Sequence, residues 1–289
     1  MTHILAVGIA ALDIINIVDR YPGEDEEMRA IAQRLARGGN AANTACVLAQ
    51  FGHRVDFAGV LADDPHGRRI EQDLLDHHVS THFCQRVEFS KAPTSYITLN
   101  RANGSRTIVH FRDLPEFDFT HFSQIPIEEF DWLHFEGRNV AETAQMLRHA
   151  HERRIDQPIS VEVEKDREGI DQLFPLADIL LFSRSFMTAR GYGDPTALFD
   201  AVRTIAPAAV LICTRGAQGA VACDADGNEF ASPAFTPPEV VDTIGAGDTF
   251  NAGIIDALSQ GGNLNAALEH ACRLAGKKVG QAGFDRLQR

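Results

Sequence analysis

The sequence predicts an α/β fold: a mostly parallel central sheet with helices on both faces, and a small second sheet beside it. Short apolar runs alternate with helix-patterned stretches, and that rhythm gives parallel strands joined by crossover helices. Two β-rich runs around an Asn-Gly pair break the rhythm and form a hairpin of their own. The chain has 289 residues, 44% of them hydrophobic and 23% charged, enough to bury one large core. We read one α/β domain over residues 1–289, with a small sheet drawn from about 14–36 and 92–112.

Ile4 to Ile9 is an apolar run suited to a buried parallel strand. Ile14 to Val18 is a second β-branched run. Gly38-Gly39-Asn40 then opens a helix to about Gln50, with Ala41, Ala45, Leu48 and Ala49 at helical spacing and Gly52 ending it. Val55 to Leu61 reads as a strand, and Asp64 caps a helix running to about His78. Thr94 to Leu99 and Arg106 to Phe111 flank the turn at Asn103-Gly104. With Ile14 to Val18 they form a small sheet placed to cover a cleft. Further strands are predicted at Trp132–Phe135, Ile159–Val163, Ile179–Phe182 and Val210–Cys213, with helical patterns between them.

Composition excludes several classes of function. A net charge of −13 disfavours nucleic acid and anionic membrane surfaces as partners. No run approaches the roughly 20 apolar residues of a membrane span. The start of the chain has no basic segment followed by a cleavage site, so it reads as a first strand rather than a signal peptide. Five cysteines without paired spacing suit free thiols in a reducing cytoplasm.

The chemistry concentrates in Asp242-Thr243-Ile244-Gly245-Ala246-Gly247-Asp248-Thr249-Phe250-Asn251. Phe250, Ile254, Ile255 and Leu258 follow at helical spacing, so Gly245-Ala246-Gly247 sits at a helix N-terminus. Its unpaired N–H groups and partial positive charge suit a phosphoryl group. Asp248 falls in the first turn, where it can take a proton from an attacking hydroxyl. No P-loop is present, and the third glycine of a dinucleotide fingerprint is missing.

A second cluster is Arg37-Gly38-Gly39-Asn40-Ala41-Ala42-Asn43. Asn40 and Asn43 lie three apart at a helix start. Either they offer amides to a polyhydroxylated ligand, or Asn40 caps the helix and Asn43 is satisfied internally. Asp13 follows the first strand, where ligands of open α/β sheets bind; it either holds two hydroxyls or is a turn aspartate.

These two segments resemble the signatures of the PfkB (ribokinase-like) carbohydrate kinases. Within that family, Val18-Asp19-Arg20-Tyr21-Pro22, Gly104-Ser105-Arg106-Thr107-Ile108, His134-Phe135-Glu136-Gly137-Arg138-Asn139, Val161-Glu162-Val163-Glu164-Lys165 and Ala275-Gly276-Lys277-Lys278 are similar to the ketohexokinase branch. The resemblance implies a three-layer αβα sandwich with a small β-sheet lid. It also implies an ATP-dependent kinase acting on a ketohexose, D-fructose giving fructose 1-phosphate. Asp248 would be the base and Gly245 to Gly247 the anion hole. Asp13, Gly39, Asn40 and Asn43 would hold the sugar, and Asp25 would reach a sugar in the partner of a homodimer formed through the lids. Arg106, Gly216, Gly219, Pro237, Pro238, Asn251 and Cys272 would surround ATP. The implied ions are magnesium (Mg2+) and potassium (K+), the latter near Asp242 and Ile244.

One departure concerns the N-x-x-E motif that many members link to magnesium. Here the region reads Phe182-Ser183-Arg184-Ser185-Phe186-Met187, without the Asn or the Glu. Glu162 and Glu164 then either reach magnesium indirectly or are structural acids paired with Lys165 or Arg167. Two rival readings remain: a kinase of the same fold for ribose, tagatose, a nucleoside or a ketodeoxy acid, and a non-catalytic sugar sensor.

Overall fold

The computed structural model describes residues 1–287. In chain order the strands are β1 (His3–Val7), β2 (Ala11–Val18), β3 (Ala32–Gly38), β4 (Arg54–Ala58), β5 (Val60–Ala62), β6 (Val79–Ser80), β7 (Gln85–Val87), β8 (Lys91–Asn100), β9 (Arg106–Asp113), β10 (Trp132–Glu136), β11 (Ile159–Val163), β12 (Ile179–Phe182), β13 (Val210–Thr214), β14 (Ala220–Cys223) and β15 (Glu229–Ser232). The α-helices are α1 (Asn40–Gln50), α2 (Pro65–Asp76), α3 (Phe119–Phe122), α4 (Val140–Arg153), α5 (Arg184–Ala189), α6 (Pro195–Arg203), α7 (Ala246–Ser259) and α8 (Leu264–Val279).

Nine strands form the large sheet in the order β15-β14-β13-β12-β11-β10-β1-β4-β6. The pairs from β6 to β13 are parallel; β13–β14 and β14–β15 are antiparallel. Strands covered on both faces are mostly apolar, which is why β1, β10, β11 and β12 read as apolar runs; Glu136 and Glu162 interrupt them at the carboxyl ends. Small side chains let α1 lie close to the sheet: Ala41, Ala42 and Ala45 are fully buried. The helix start read at Asp64 is borne out. Its Oδ1 accepts from the Gly67 N–H at 2.7 Å, and Pro65 occupies the first helical position.

The expected strand over Val55 to Leu61 is two strands. The chain breaks at Gly59, where a Cβ would lie 2.5 Å from the Gly8 carbonyl oxygen. The first part, β4, joins the large sheet, whereas β5 pairs only with β7. Five strands lay outside the sequence reading as separate elements. β3 carries Gln33, Arg34 and Arg37 and lacks an apolar run, while β6, β7, β14 and β15 are each only two to four residues long.

The second sheet has the order β3-β2-β8-β9, with β2 and β8 parallel and the other pairs antiparallel. Register and period-two alternation divide its faces. One row across all four strands is Ala36, Asp13, Ser95 and His110; the neighbouring row, on the opposite face, is Leu35, Ile14, Tyr96 and Val109. The first face carries a small apolar cluster of Ile15, Ile97 and Leu99. On the second, Leu35, Tyr96, Val109 and Phe111 are 39%, 49%, 66% and 45% exposed. Among the described residues, no helix is long and apolar enough to cross a membrane. All five cysteines are free and buried.

Candidate active site

β1, β10 and β11 lie side by side in the middle of the large sheet, so their carboxyl ends open at one place. There a cavity of about 1190 Å3 separates the two sheets and the start of α7. Asp13, Gly39, Asn40 and Asn43 line it, as do Arg106, Glu162, Glu164, Gly216, Gly245, Ala246, Gly247, Asp248 and Asn251. Both sequence clusters therefore meet in one concavity, although Asn43 and Asp248 lie 205 positions apart in the chain.

Asp248 occupies the first turn of α7 and is 6% exposed. Its Oδ2 accepts from Asn43 Nδ2 at 2.6 Å, and its backbone carbonyl accepts from Thr44 Oγ1 at 3.3 Å. Burial pushes its carboxyl well above the ordinary range, and the nearby Glu164 and Glu136 add to this; the Asn43 hydrogen bond and Arg37 oppose it. A buried, raised carboxyl lining a cavity is a candidate for proton transfer.

The turn before Asp248 has two glycines with different duties. Gly245 has φ +76°, and a Cβ there would fall 2.1 Å from Cζ of Phe284. It is glycine because of the left-handed turn and the aromatic ring beneath it. Gly247 would point a Cβ into open space, so it leaves the helix N-terminus accessible from the cavity. Gly39 has φ +98°, with the Ile9 carbonyl oxygen 2.2 Å from a built Cβ, so the backbone crosses close to the end of β1.

Of the readings left open, Asn40 as a helix cap fails, whereas Asn43 is satisfied internally, between Arg37 and Asp248. Gly39 is the N-cap of α1 and no side chain caps it. Asn40 Nδ2 instead donates to Glu162 Oε1 at 3.1 Å and Glu164 Oε2 at 3.2 Å. Asp13 lies against Gly38, and burial raises its carboxyl to about 6, with Ser95, Arg37 and Arg34 acting against the rise.

Acidic residues at the strand ends form a further group. Glu136 Oε2 accepts from the Ile9 N–H at 3.0 Å, and its Oε1 accepts from Arg138 Nη1 at 2.9 Å. Glu162 is buried, and its Oε2 has no hydrogen-bond partner. Burial and the facing Asp248, Glu136 and Glu164 push its carboxyl far upward. An orphaned buried carboxylate oxygen among three other acids fits a divalent cation. Asp242 does not fit a monovalent ion in the same way. Burial would raise its carboxyl, yet Lys278, the Ile244 N–H and Arg34 hold it below the ordinary range. The fully buried Lys278 ammonium donates to the Asp242 carbonyl and lies 3.1 Å from its Oδ2, so positive charge is already built in.

A kinase profile described as "pfkB family carbohydrate kinase" matches residues 1–287. The chain belongs to this family. It is 39% identical to ketohexokinase of Mus musculus, over 98% of each chain, and 29% identical to ribokinase of Bacillus subtilis, over 96% of this chain and 93% of that one. In structure it resembles Arabidopsis thaliana ribokinase complexed with ribose and ATP, with a TM-score of 0.81 at 21% identity, covering 98% of this chain and 94% of that one. Thermotoga maritima ribokinase gives a TM-score of 0.79 at 20% identity, covering 99% and 96%. This pfkB-family protein is an ATP-dependent sugar kinase with a ribokinase-like α/β fold.

The kinase keeps some expected residues away from the cavity wall. Asp25 lies exposed in the β2–β3 loop, with φ 60°. Gly219 packs against Ser232, where a Cβ would meet the carbonyl oxygen at 2.0 Å. Cys272 is buried with Sγ 3.8 Å from the same oxygen, and Pro237 lies against Gly280 with Pro238 exposed beside it. Arg106 reaches the cavity from β9 and donates to Thr243 Oγ1 at 3.0 Å. The sequence reading assigned no role to Glu136, Ser95, His110 or Phe284. An acid ending the apolar run Trp132–Phe135 was a usable signal for Glu136. The others depend on which distant strands become neighbours.

Proposed function

We propose that this kinase transfers the γ-phosphoryl group of ATP to a hydroxyl of a ketohexose, most simply D-fructose to fructose 1-phosphate. The observation that carries the mechanism is the hydrogen-bonded Asn43–Asp248 pair beside the open N-terminus of α7. Asp248 takes the proton of the attacking hydroxyl. The N–H groups around Gly245, Ala246 and Gly247 receive the charge that develops on the transferring group. Asp13, Gly39, Asn40 and Asn43 hold and orient the sugar, which places the hydroxyl for in-line attack. Arg106 meets the phosphates, and Gly216 and Asn251, which line the cavity, face the nucleotide; Gly219, Pro237, Pro238 and Cys272 lie behind that wall and act on it only through packing.

Magnesium, when bound, neutralises phosphate charge; Glu162 and Glu164 would hold it, directly or through water. The engaged state of Asp242 argues against assigning potassium to that carboxylate. The small sheet acts as the lid that excludes water. Its outer row of Leu35, Tyr96 and Val109 supports a homodimer through the lids, which would let Asp25 reach the neighbouring sugar. Five buried free thiols suit a reducing cytoplasm.

The choice of a ketohexose rests on the 39% identity to ketohexokinase and on agreement outside the two signatures. A panel of free sugars assayed for ADP release, with the product's phosphate position determined, tests it. Turnover of fructose to the 1-phosphate is the expected result. Turnover of ribose or tagatose with inert fructose would leave the kinase and remove the substrate.

A further inference from the structure

Arg37 ends β3 directly before the two glycines, and it is 5% exposed. A buried cation is costly unless every charge-bearing edge is met. Its Nε donates to Asp73 Oδ2 at 2.6 Å, its Nη1 donates to Asn43 Oδ1, and its guanidinium lies 5.4 Å from the centre of the Phe284 ring. Asn43 passes the contact on, because its Nδ2 is the donor to Asp248. Asp73, Arg37, Asn43 and Asp248 thus form one chain of side-chain hydrogen bonds from α2 to the candidate base.

The chemistry of the middle link is decisive. An amide can present either its oxygen or its nitrogen to a neighbour, whereas guanidinium only donates, and Asp248 in the ionised form that a base requires only accepts. With Arg37 on one side and Asp248 on the other, one amide orientation makes two good contacts and the flipped one makes two repulsive contacts. We propose that Arg37 is a positioning residue for phosphoryl transfer: through Asn43 it fixes Asp248 Oδ2, leaving Oδ1 to receive the acceptor proton. The inference rests on Asp248 being the base. Arg37 touches neither substrate nor nucleotide in this scheme.

The test is a double-mutant cycle between position 37 and position 248, read as single-turnover phosphoryl transfer at saturating ATP and sugar, with ATP affinity measured separately. Arg37→Gln keeps a donor without the charge, and Arg37→Lys keeps the charge without the fork. In an otherwise unchanged chain, we expect Arg37→Gln to slow transfer by roughly 10–100-fold and Arg37→Lys by less, with ATP affinity within about twofold. In an Asp248→Asn background the same changes should slow transfer by less than about twofold, because the group they position is gone. Equal losses in both backgrounds would make Arg37 a purely structural residue and overturn the proposal, as would undiminished transfer in both single variants. Should Arg37→Gln fail to fold, Arg37→Lys decides by the same comparison. Near-normal activity of Asp248→Asn alone removes the base assignment instead, so the two failures are told apart.

Discussion

The two sheets of this kinase solve opposite problems. In the large sheet, β10, β11 and β12 are buried at every position, and their side chains are committed to packing. In the small sheet, β9 is exposed along nearly its whole length and only Ile15, Ile97 and Leu99 form a local cluster. The large sheet supplies rigidity and fixes Glu136 and Glu162 at its carboxyl ends. The small sheet brings Asp13, Ser95, Arg106 and His110 over the cavity with little packing of its own. On the function proposed above, groups that must be placed finely sit on the first, and groups that would admit a substrate and then cover it sit on the second.

The largest effect expected from breaking this division lies on the rigid side. Asp248→Asn should lower kcat by roughly 10²–10⁴-fold while ATP still binds, as calorimetry with ATP would show. Retained turnover would mean that the α7 carboxylate does no proton transfer. Next is Gly245→Ala, which forces a left-handed residue into the Phe284 ring. A loss of roughly 2–4 kcal/mol in urea unfolding is expected, with activity falling in parallel. If stability were unchanged, Phe284 would not be the constraint on this turn.

The substrate side should behave differently. Asp13→Asn should raise KM for the sugar while stabilising the unliganded protein, because a buried carboxylate is replaced by a neutral group. The native carboxyl titrates near 6, above its ordinary value of 3.8. The native state therefore binds the proton more tightly than the unfolded chain, and ionisation costs stability as pH rises from about 4 to about 6. The gain from Asp13→Asn should be absent below pH 4 and complete above pH 6, at up to about 3 kcal/mol. A gain independent of pH in denaturation curves would assign it to something other than this carboxyl. The smallest effect on the fold is expected from Val109→Glu, 66% exposed on the outer row. It should change stability by less than about 0.5 kcal/mol yet lower self-association in sedimentation. A monomeric parent chain would sink the pairing of small sheets.

The sequence made the large sheet legible because its parallel strands are mostly apolar runs; β11 and β12 coincide with the runs Ile159–Val163 and Ile179–Phe182. The α7 turn was legible because its glycines and aspartate sit at a helix start marked by Phe250, Ile254 and Ile255. β3 was not legible as a strand, since its charged side chains answer to Asp242 and to Asp73 of α2 rather than to a core. The division of Val55 to Leu61 was hidden as well, because Gly59 breaks the run for the sake of the Gly8 backbone, a tertiary cause. The hydrogen-bond chain from Asp73 to Asp248 could not be seen either, because its links come from three separate segments: α2, the Arg37–Asn43 cluster and α7.

Phe284 has a consequence for how the enzyme comes into being. Its ring supports Gly245 and lies beneath both the Arg37 guanidinium and the Lys278 ammonium, and its carbonyl accepts from Gln50 Nε2 at 2.8 Å. Gln50 and Phe284 lie 234 positions apart in the chain, so the turn at Gly245 receives its floor only when two distant segments have come together. Local sequence opens this helix, but long-range closure completes its first turn.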